Sequence, residues 1–102
     1  MDDLGRFADP SVLILTSLAG GPKHGYALIQ DIESLAGTTI GPGTLYGALA
    51  RLENRKLIRA LPEEARRRPY EITPAGATAL RAYLEHARQV TGAGLRRLAA
   101  YA

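Results

Sequence analysis

The sequence predicts one mainly α-helical domain with a small β-hairpin and a long C-terminal helix. Three observations lead there. Proline and glycine divide the chain into short segments. Within most segments, leucine and isoleucine recur at three- and four-residue spacing, the helical period. Two short stretches of mixed apolar and polar residues flank one highly charged loop, the pattern of a hairpin. With 102 residues, the chain fits a single compact unit, and a core this small gains from a partner subunit.

The first helix lies in "DPSVLILTSLAGGP". Asp9 is placed to cap it and Pro10 suits its first turn. Val12, Ile14, Leu15 and Leu18 face a core, and Gly20, Gly21 and Pro22 end it. In "HGYALIQDIESLAG", Leu28, Ile32 and Leu35 recur at i, i+4, i+7 with Ile29 beside them, so a second helix ends at Gly37. The connection "TTIGPGT" turns it against a third. There Gly41 caps, Pro42 opens the first turn, and Leu45, Leu49 and Leu52 share one face. At about 100° per residue, the opposite face carries Gly43, Gly47, Ala50, Arg51 and Asn54, flanked by Thr44 and Arg55. That face is bare at its start and basic toward its end.

"LIRAL" and "PYEIT" are the hairpin strands, and "PEEARRR" is its charged tip. The remaining residues form a last helix. Thr73 caps it, Pro74 opens it, and Leu80, Leu84, Ala87, Thr91, Leu95 and Leu98 make its stripe. Gly92 and Gly94 each cost about 1 kcal/mol of helix propensity against alanine, which predicts a kink or break near them.

Composition excludes several classes. There is no cysteine, hence no disulfide framework and no thiolate metal site. The uninterrupted apolar run Val12 to Leu15 is far short of a membrane span. The acidic start "MDDLGRFADPS" lacks the apolar centre of a secretory signal, so a cytoplasmic protein is expected. His24 and His86 have no ligand partners at metal-binding spacing, and His24 reads as a residue that caps or orients the second helix. Asp31 with Glu33, and Glu63 with Glu64, read as surface charge. No phosphate-binding loop, nucleotide fingerprint or nucleophile motif is present, so neither an enzyme nor a cofactor is expected.

Charge is local. Residues 51–70 hold seven basic groups against three acidic ones, while the rest of the chain holds six basic and seven acidic residues. Such a zone on a small domain is the electrostatic footprint of nucleic-acid binding. An ordinary solvated basic face is the plainer reading of the same charges.

Helix, helix, turn, helix, hairpin, helix is the order of a winged helix-turn-helix. In that arrangement the helix after the turn enters the major groove and its first residues reach base edges. The groove is about 12 Å wide and favours a helix whose leading face is not bulky, which Gly43 and Gly47 supply. Thr44 and Tyr46 offer hydroxyls to phosphate oxygens, although Tyr46 could instead pack at the core edge. Arg51 is placed for a phosphate or a guanine edge, with Arg55 beside it. Arg66, Arg67 and Arg68 gather three guanidiniums where the hairpin turns, suited to a phosphate backbone or a minor groove.

"HGYALIQDIE", "GPGTLYGALARLENRKLI" and "RRRPYEITPAGATAL" resemble the PadR family of bacterial transcriptional regulators, over roughly residues 10–85. The resemblance implies a homodimeric repressor on a palindromic double-stranded operator, with residues 1–73 as the DNA-binding domain and 74–102 as a single dimerisation helix. Leu80, Tyr83, Leu84, Ala87, Leu95 and Leu98 would form that interface. It also implies frequent control by a small aromatic or amphiphilic effector. In a dimer Phe7, Tyr83 and Tyr101 could line its pocket, with ordinary dimer packing the plainer reading of the same residues. Position 47, usually proline in the family, is Gly47. Position 56, often glycine, is Lys56, which shifts the expected turn to Asn54 or lengthens the helix. The alternative left open is a winged-helix protein–protein module without specific DNA binding.

Overall fold

Helix α1, Pro10–Ala19, is the centre of the molecule. The computed structural model describes residues 9–101. Asp9 caps α1 by accepting from the Val12 amide at 3.1 Å. Leu13, Ile14, Leu15 and Leu18 are all buried, so α1 buries more than one stripe. Around it pack α2 (Gly25–Ala36), α3 (Pro42–Asn54), the strand β2 (Tyr70–Ile72) and α4 (Pro74–Ala99), while the strand β1 (Ile58–Ala60) lies against β2 and α3.

The core joins the α1 residues to Leu28, Ile32, Ile40, Leu45, Leu49, Leu52, Ile58 and Leu80. Truncating any such leucine to alanine costs about 2–5 kcal/mol. Leu35 departs from expectation. It is 55% exposed, because the core ends at Ile32 and the last turn of α2 faces solvent.

A polar knot secures one end of α1. Ser17, 1% exposed, donates to Asp31 Oδ2 at 2.5 Å. Lys23 Nζ donates to the Ser17 carbonyl at 2.6 Å and lies 3.9 Å from Asp31 Oδ2. A cation at a helix C-terminus is favoured by the helix dipole.

Helix α3 ends in a cap of the Schellman type: the Leu57 amide donates to the Leu52 carbonyl at 3.0 Å and the Lys56 amide to the Glu53 carbonyl at 2.9 Å. The left-handed residue is Lys56 itself, at φ 63°. The turn is therefore carried neither by Asn54 nor by a longer helix.

The strands pair antiparallel in the register Ile58↔Ile72, Arg59↔Glu71, Ala60↔Tyr70. Arg59 and Glu71, directly opposite, form an ion pair of 2.6 Å. The hairpin continues to its tip, where Glu64 and Arg67 exchange backbone hydrogen bonds of 2.8 and 2.9 Å. The two residues between them, Ala65 and Arg66, both have positive φ, 50° and 65°, as a two-residue turn with the twist of a hairpin requires.

Helix α4 runs unbroken through Gly92 and Gly94 for 26 residues, so the helix does not break there. Ala93, Leu95, Arg96 and Arg97 around the glycines are good helix formers. The Arg96 guanidinium lies 3.0 Å from where a Gly92 Cβ would be, over the gap that glycine leaves.

Candidate nucleic-acid interface

The site is built where α2, α3 and the hairpin meet. Lys23 makes it possible. Its backbone pairs with Tyr70 through bonds of 3.1 and 3.0 Å, adding a one-residue third strand to the sheet. This docks the hairpin against the start of α2, so that it stands as a wing beside α3.

His24, the N-cap of α2, follows immediately. Its Nδ1 lies 3.4 Å from the Ala27 amide and its Nε2 lies 3.2 Å from Arg67 Nη1. Gly25 is buried under Tyr46: a Cβ there would sit 2.3 Å from the Tyr46 hydroxyl. Tyr46 is nevertheless 53% exposed. It packs on Gly25 at its hydroxyl end while about half of its surface stays exposed. Tyr26 accepts a hydrogen bond from Gln30 at 3.1 Å on the same side. Tyr70 closes the floor. Burial, with help from the Glu53 carboxylate and Tyr46, raises its phenol above the ordinary value against an opposing influence of Arg68, so it remains a neutral hydroxyl. Together His24, Tyr46, Arg66, Arg67, Arg68 and Tyr70 line a shallow depression of about 300 Å³.

The three wing arginines differ. Arg68 donates to the Leu61 carbonyl at 2.7 Å and clips the hairpin to itself. Arg67 leans on His24. Arg66, at the tip, is exposed and its side chain makes no hydrogen bond among the described residues.

On α3, Gly43, Thr44, Ala50, Arg51, Asn54 and Arg55 are exposed and Gly47 is partly so. The Arg51 guanidinium folds back to 3.6 Å from the Cβ position of Gly47. The N-terminal amides of α3 are capped by no side chain, which leaves donors and the positive end of the helix dipole facing outward.

The residues expected at a subunit interface divide. Leu80 is 6% exposed and belongs to the protomer's own core, so it is unavailable to a partner. It is the first stripe residue of α4 and still lies over α1. Tyr83, Leu84, Leu95 and Leu98 are exposed and Ala87 partly so, and Val90, which the spacing argument passes over, joins them at 60% exposure. Phe7 lies outside the described residues. Tyr83 and Tyr101 do not share a pocket within one protomer: along a straight helix eighteen residues span roughly 27 Å, and α4 is unbroken between Tyr83 and its end at Ala99. Among the described residues, no cluster of three His, Cys, Asp or Glu side chains could hold a metal, and no helix is long and apolar enough to cross a membrane.

The sequence pattern alone does not place His24, Tyr26 and Tyr70 in the site. The H-G-Y and R-R-P-Y stretches signalled them, but their meeting depends on the Lys23–Tyr70 pairing, which no local pattern reveals.

A helix-turn-helix with an arginine-tipped wing beside a bare leading helix face defines a winged-helix regulator of transcription. Residues 14–82 match the model of the transcriptional regulator PadR-like family, and the chain belongs to that family. It is 54% identical over 71 residues to a 37.1 kDa protein of transposon TN4556 from Streptomyces fradiae, covering 70% of this chain and 21% of that one. It is 41% identical over 86 residues to the transcriptional regulator Rv3488 of Mycobacterium tuberculosis, covering 78% and 79% of the two chains. The transcriptional activator GvpE2 of Halobacterium salinarum matches at 32% identity, over 74% of this chain and 38% of its own. The chain thus spans between about a fifth and four fifths of the lengths of these relatives. Among solved structures, a transcriptional regulator from Clostridium thermocellum aligns with a TM-score of 0.75 at 30% identity, covering 85% of this chain and 87% of that one. A PadR family regulator from Clostridium difficile shares the fold, with a TM-score of 0.78 at 22% identity over 87% and 97% of the chains. The family is one of regulators, not of enzymes.

Proposed function

We propose that the protein is a homodimeric repressor that binds a palindromic operator in double-stranded DNA. The observation that carries this is the convergence of His24, Tyr46 and Arg66–Arg68 beside the exposed start of α3. Helix α3 enters the major groove. Thr44 and Arg51 face base edges and phosphates, Gly43 and Gly47 permit close approach, and Arg55 lies at the basic end. The wing tracks the neighbouring backbone through Arg66 and Arg67, while Arg68 holds the wing's shape.

Residues 1–73 form the DNA-binding unit, and 74–102 the dimerisation helix. The exposed apolar side chains of α4 beyond Leu80 are covered by a second copy, whose reading helix reaches the next major groove about one turn away. A dimer so placed represses by occlusion. A small aromatic or amphiphilic effector would sit in the groove of about 260 Å³ at Tyr83, His86, Ala87, Val90 and Thr91, closed by the partner helix.

Titrating the purified protein with the DNA upstream of its own gene, at several salt concentrations and against unrelated competitor DNA, tests the reading. Tight binding that weakens steeply with salt and resists competitor supports it. Binding that competitor removes equally well would favour the protein–protein module instead.

A further inference from the structure

The junction between α3 and α4 is tied more closely than either helix needs for its own sake. Thr73 caps α4, accepting from the Gly76 amide at 3.1 Å. The same hydroxyl donates to the Lys56 carbonyl at 2.8 Å, in the turn that closes α3. The Thr73 amide donates to the neighbouring Leu57 carbonyl at 3.1 Å. Gly76 is buried one turn into α4, and a Cβ there would lie 2.0 Å from the Leu57 carbonyl oxygen. The first turn of α4 therefore rests directly on the backbone that ends α3.

Beyond this junction α4 is held by packing on α1, and its buried contacts stop at Leu80. Of its 26 residues only Gly76 and Leu80 are buried, both near its start. A helix of that length is about 39 Å long, so a tilt of about 5° at its base moves the far end by roughly 3 Å.

We infer that Thr73 is a positioning residue: its hydroxyl fixes the direction of α4 relative to α3, and through the dimer fixes the separation of the two reading helices. The second half of this inference rests on the proposed dimeric, DNA-binding reading. The hydroxyl is suited to the task because it donates and accepts at once, so the cap of one helix and the C-terminal turn of the other share a single atom. A displacement of α4 breaks one bond or the other, or carries the end of α3 with it.

Substitution can separate the two bonds. Thr73→Asp keeps a good N-cap, and its charge suits the helix N-terminus, but a carboxylate has no proton to give the Lys56 carbonyl. Thr73→Ser keeps both bonds and Thr73→Val loses both. The protein has no cysteine, so spin labels at Ala50→Cys on α3 and Gln89→Cys on α4 report one distance within a protomer when diluted with unlabelled protein. The serine variant should reproduce the parental distance distribution. The aspartate variant should stay folded yet shift or broaden it by about 2 Å or more, the effect of a tilt of about 5° on a label about 24 Å along α4, and the valine variant should do the same. A Thr73→Asp distribution that matches the parent would overturn the inference and leave Thr73 as a cap only. Should the aspartate variant not fold, the contrast between valine and serine decides in the same way.

In DNA, duplexes selected from random sequence by the parent are then offered with half-site spacing changed by one base pair. The parent should reject these about tenfold, and Thr73→Asp should reject them markedly less. Equal discrimination by both would overturn the link to spacing. A parent that selects no duplex would overturn the DNA-binding reading and the spacing link with it, while the label distances still test the tether.

Discussion

Arg67 Nη1 lies 3.2 Å from His24 Nε2, joining the wing to the first turn of α2 across 43 residues of sequence. The other imidazole nitrogen of His24 faces the Ala27 amide. A neutral imidazole has one acceptor nitrogen, so it cannot accept from both donors. Whichever it serves, the other donor is left for solvent or an incoming anion. His24→Asn should keep the cap of α2 and lose only the wing contact, leaving the unfolding midpoint nearly unchanged. His24→Ala should cost about 1 kcal/mol. Equal stability losses in denaturant titrations of the two would contradict the capping role.

The wing arginines should separate by property. Arg66→Ala should leave stability unchanged and reduce the slope of log affinity against log salt by about 0.9, the effect of one lost phosphate contact. Arg68→Ala removes the bond to the Leu61 carbonyl and should lower stability by about 1 kcal/mol as well as weakening binding. Salt-titrated binding alongside thermal melts distinguishes them; identical profiles for the two variants would show that the arginines act only as interchangeable charge.

Two glycines make opposite predictions. At Gly76 the obstacle to a Cβ is the Leu57 backbone, which cannot swing aside, so Gly76→Ala should destabilise the fold by about 3 kcal/mol, the upper end of the usual cost of overpacking. At Gly25 the obstacle is the end of the Tyr46 side chain. Gly25→Ala should therefore fold, with Tyr46 displaced and DNA affinity reduced several-fold. Circular-dichroism melts and binding isotherms of both variants check the contrast.

Lys56 holds a left-handed backbone at φ 63°, which costs a non-glycine residue about 1–2 kcal/mol. Lys56→Gly should relieve most of this and, after the added entropy of the unfolded chain, stabilise by about 0.5–1 kcal/mol. The check is the denaturation midpoint at fixed protomer concentration. An unchanged or lower midpoint would mean that the lysine side chain offsets the strain.

Leu80 and Leu84 test where the core stops and the proposed subunit interface starts. Leu80→Ala should cost about 2–5 kcal/mol of folding stability. Leu84→Glu should leave the protomer folded and halve the mass seen by light scattering. A dimer that survives Leu84→Glu would remove this face of α4 from the interface.

Much of this fold was legible in the sequence, because its signals are local. Asp9, Gly37, Gly41 and Thr73 mark helix ends through their own side chains or lack of them, and the strands pair as their flanking segments implied. The misreadings came where tertiary context outweighed local preference. Gly92 and Gly94 did not break α4, since good helix formers surround them, and Leu35 follows the periodicity of α2 beyond the end of the core. Leu80 continues the α4 stripe but serves the protomer, a distinction that periodicity cannot make. The exposed face of α3 could be drawn from helical geometry alone. The pairing of Lys23 with Tyr70, and the His24–Arg67 contact that follows from it, could not, because they join segments more than forty residues apart.

Hydroxyl-radical footprinting of the protein on a selected operator is the sharpest check on paired α3 helices. Two copies of α3 in successive major grooves predict two protected patches on one face of the duplex, related by dyad symmetry and about 10 base pairs apart, with flanking protection that disappears in Arg66→Ala. A single asymmetric patch, or protection that follows no sequence, would contradict a dimer reading DNA through paired α3 helices.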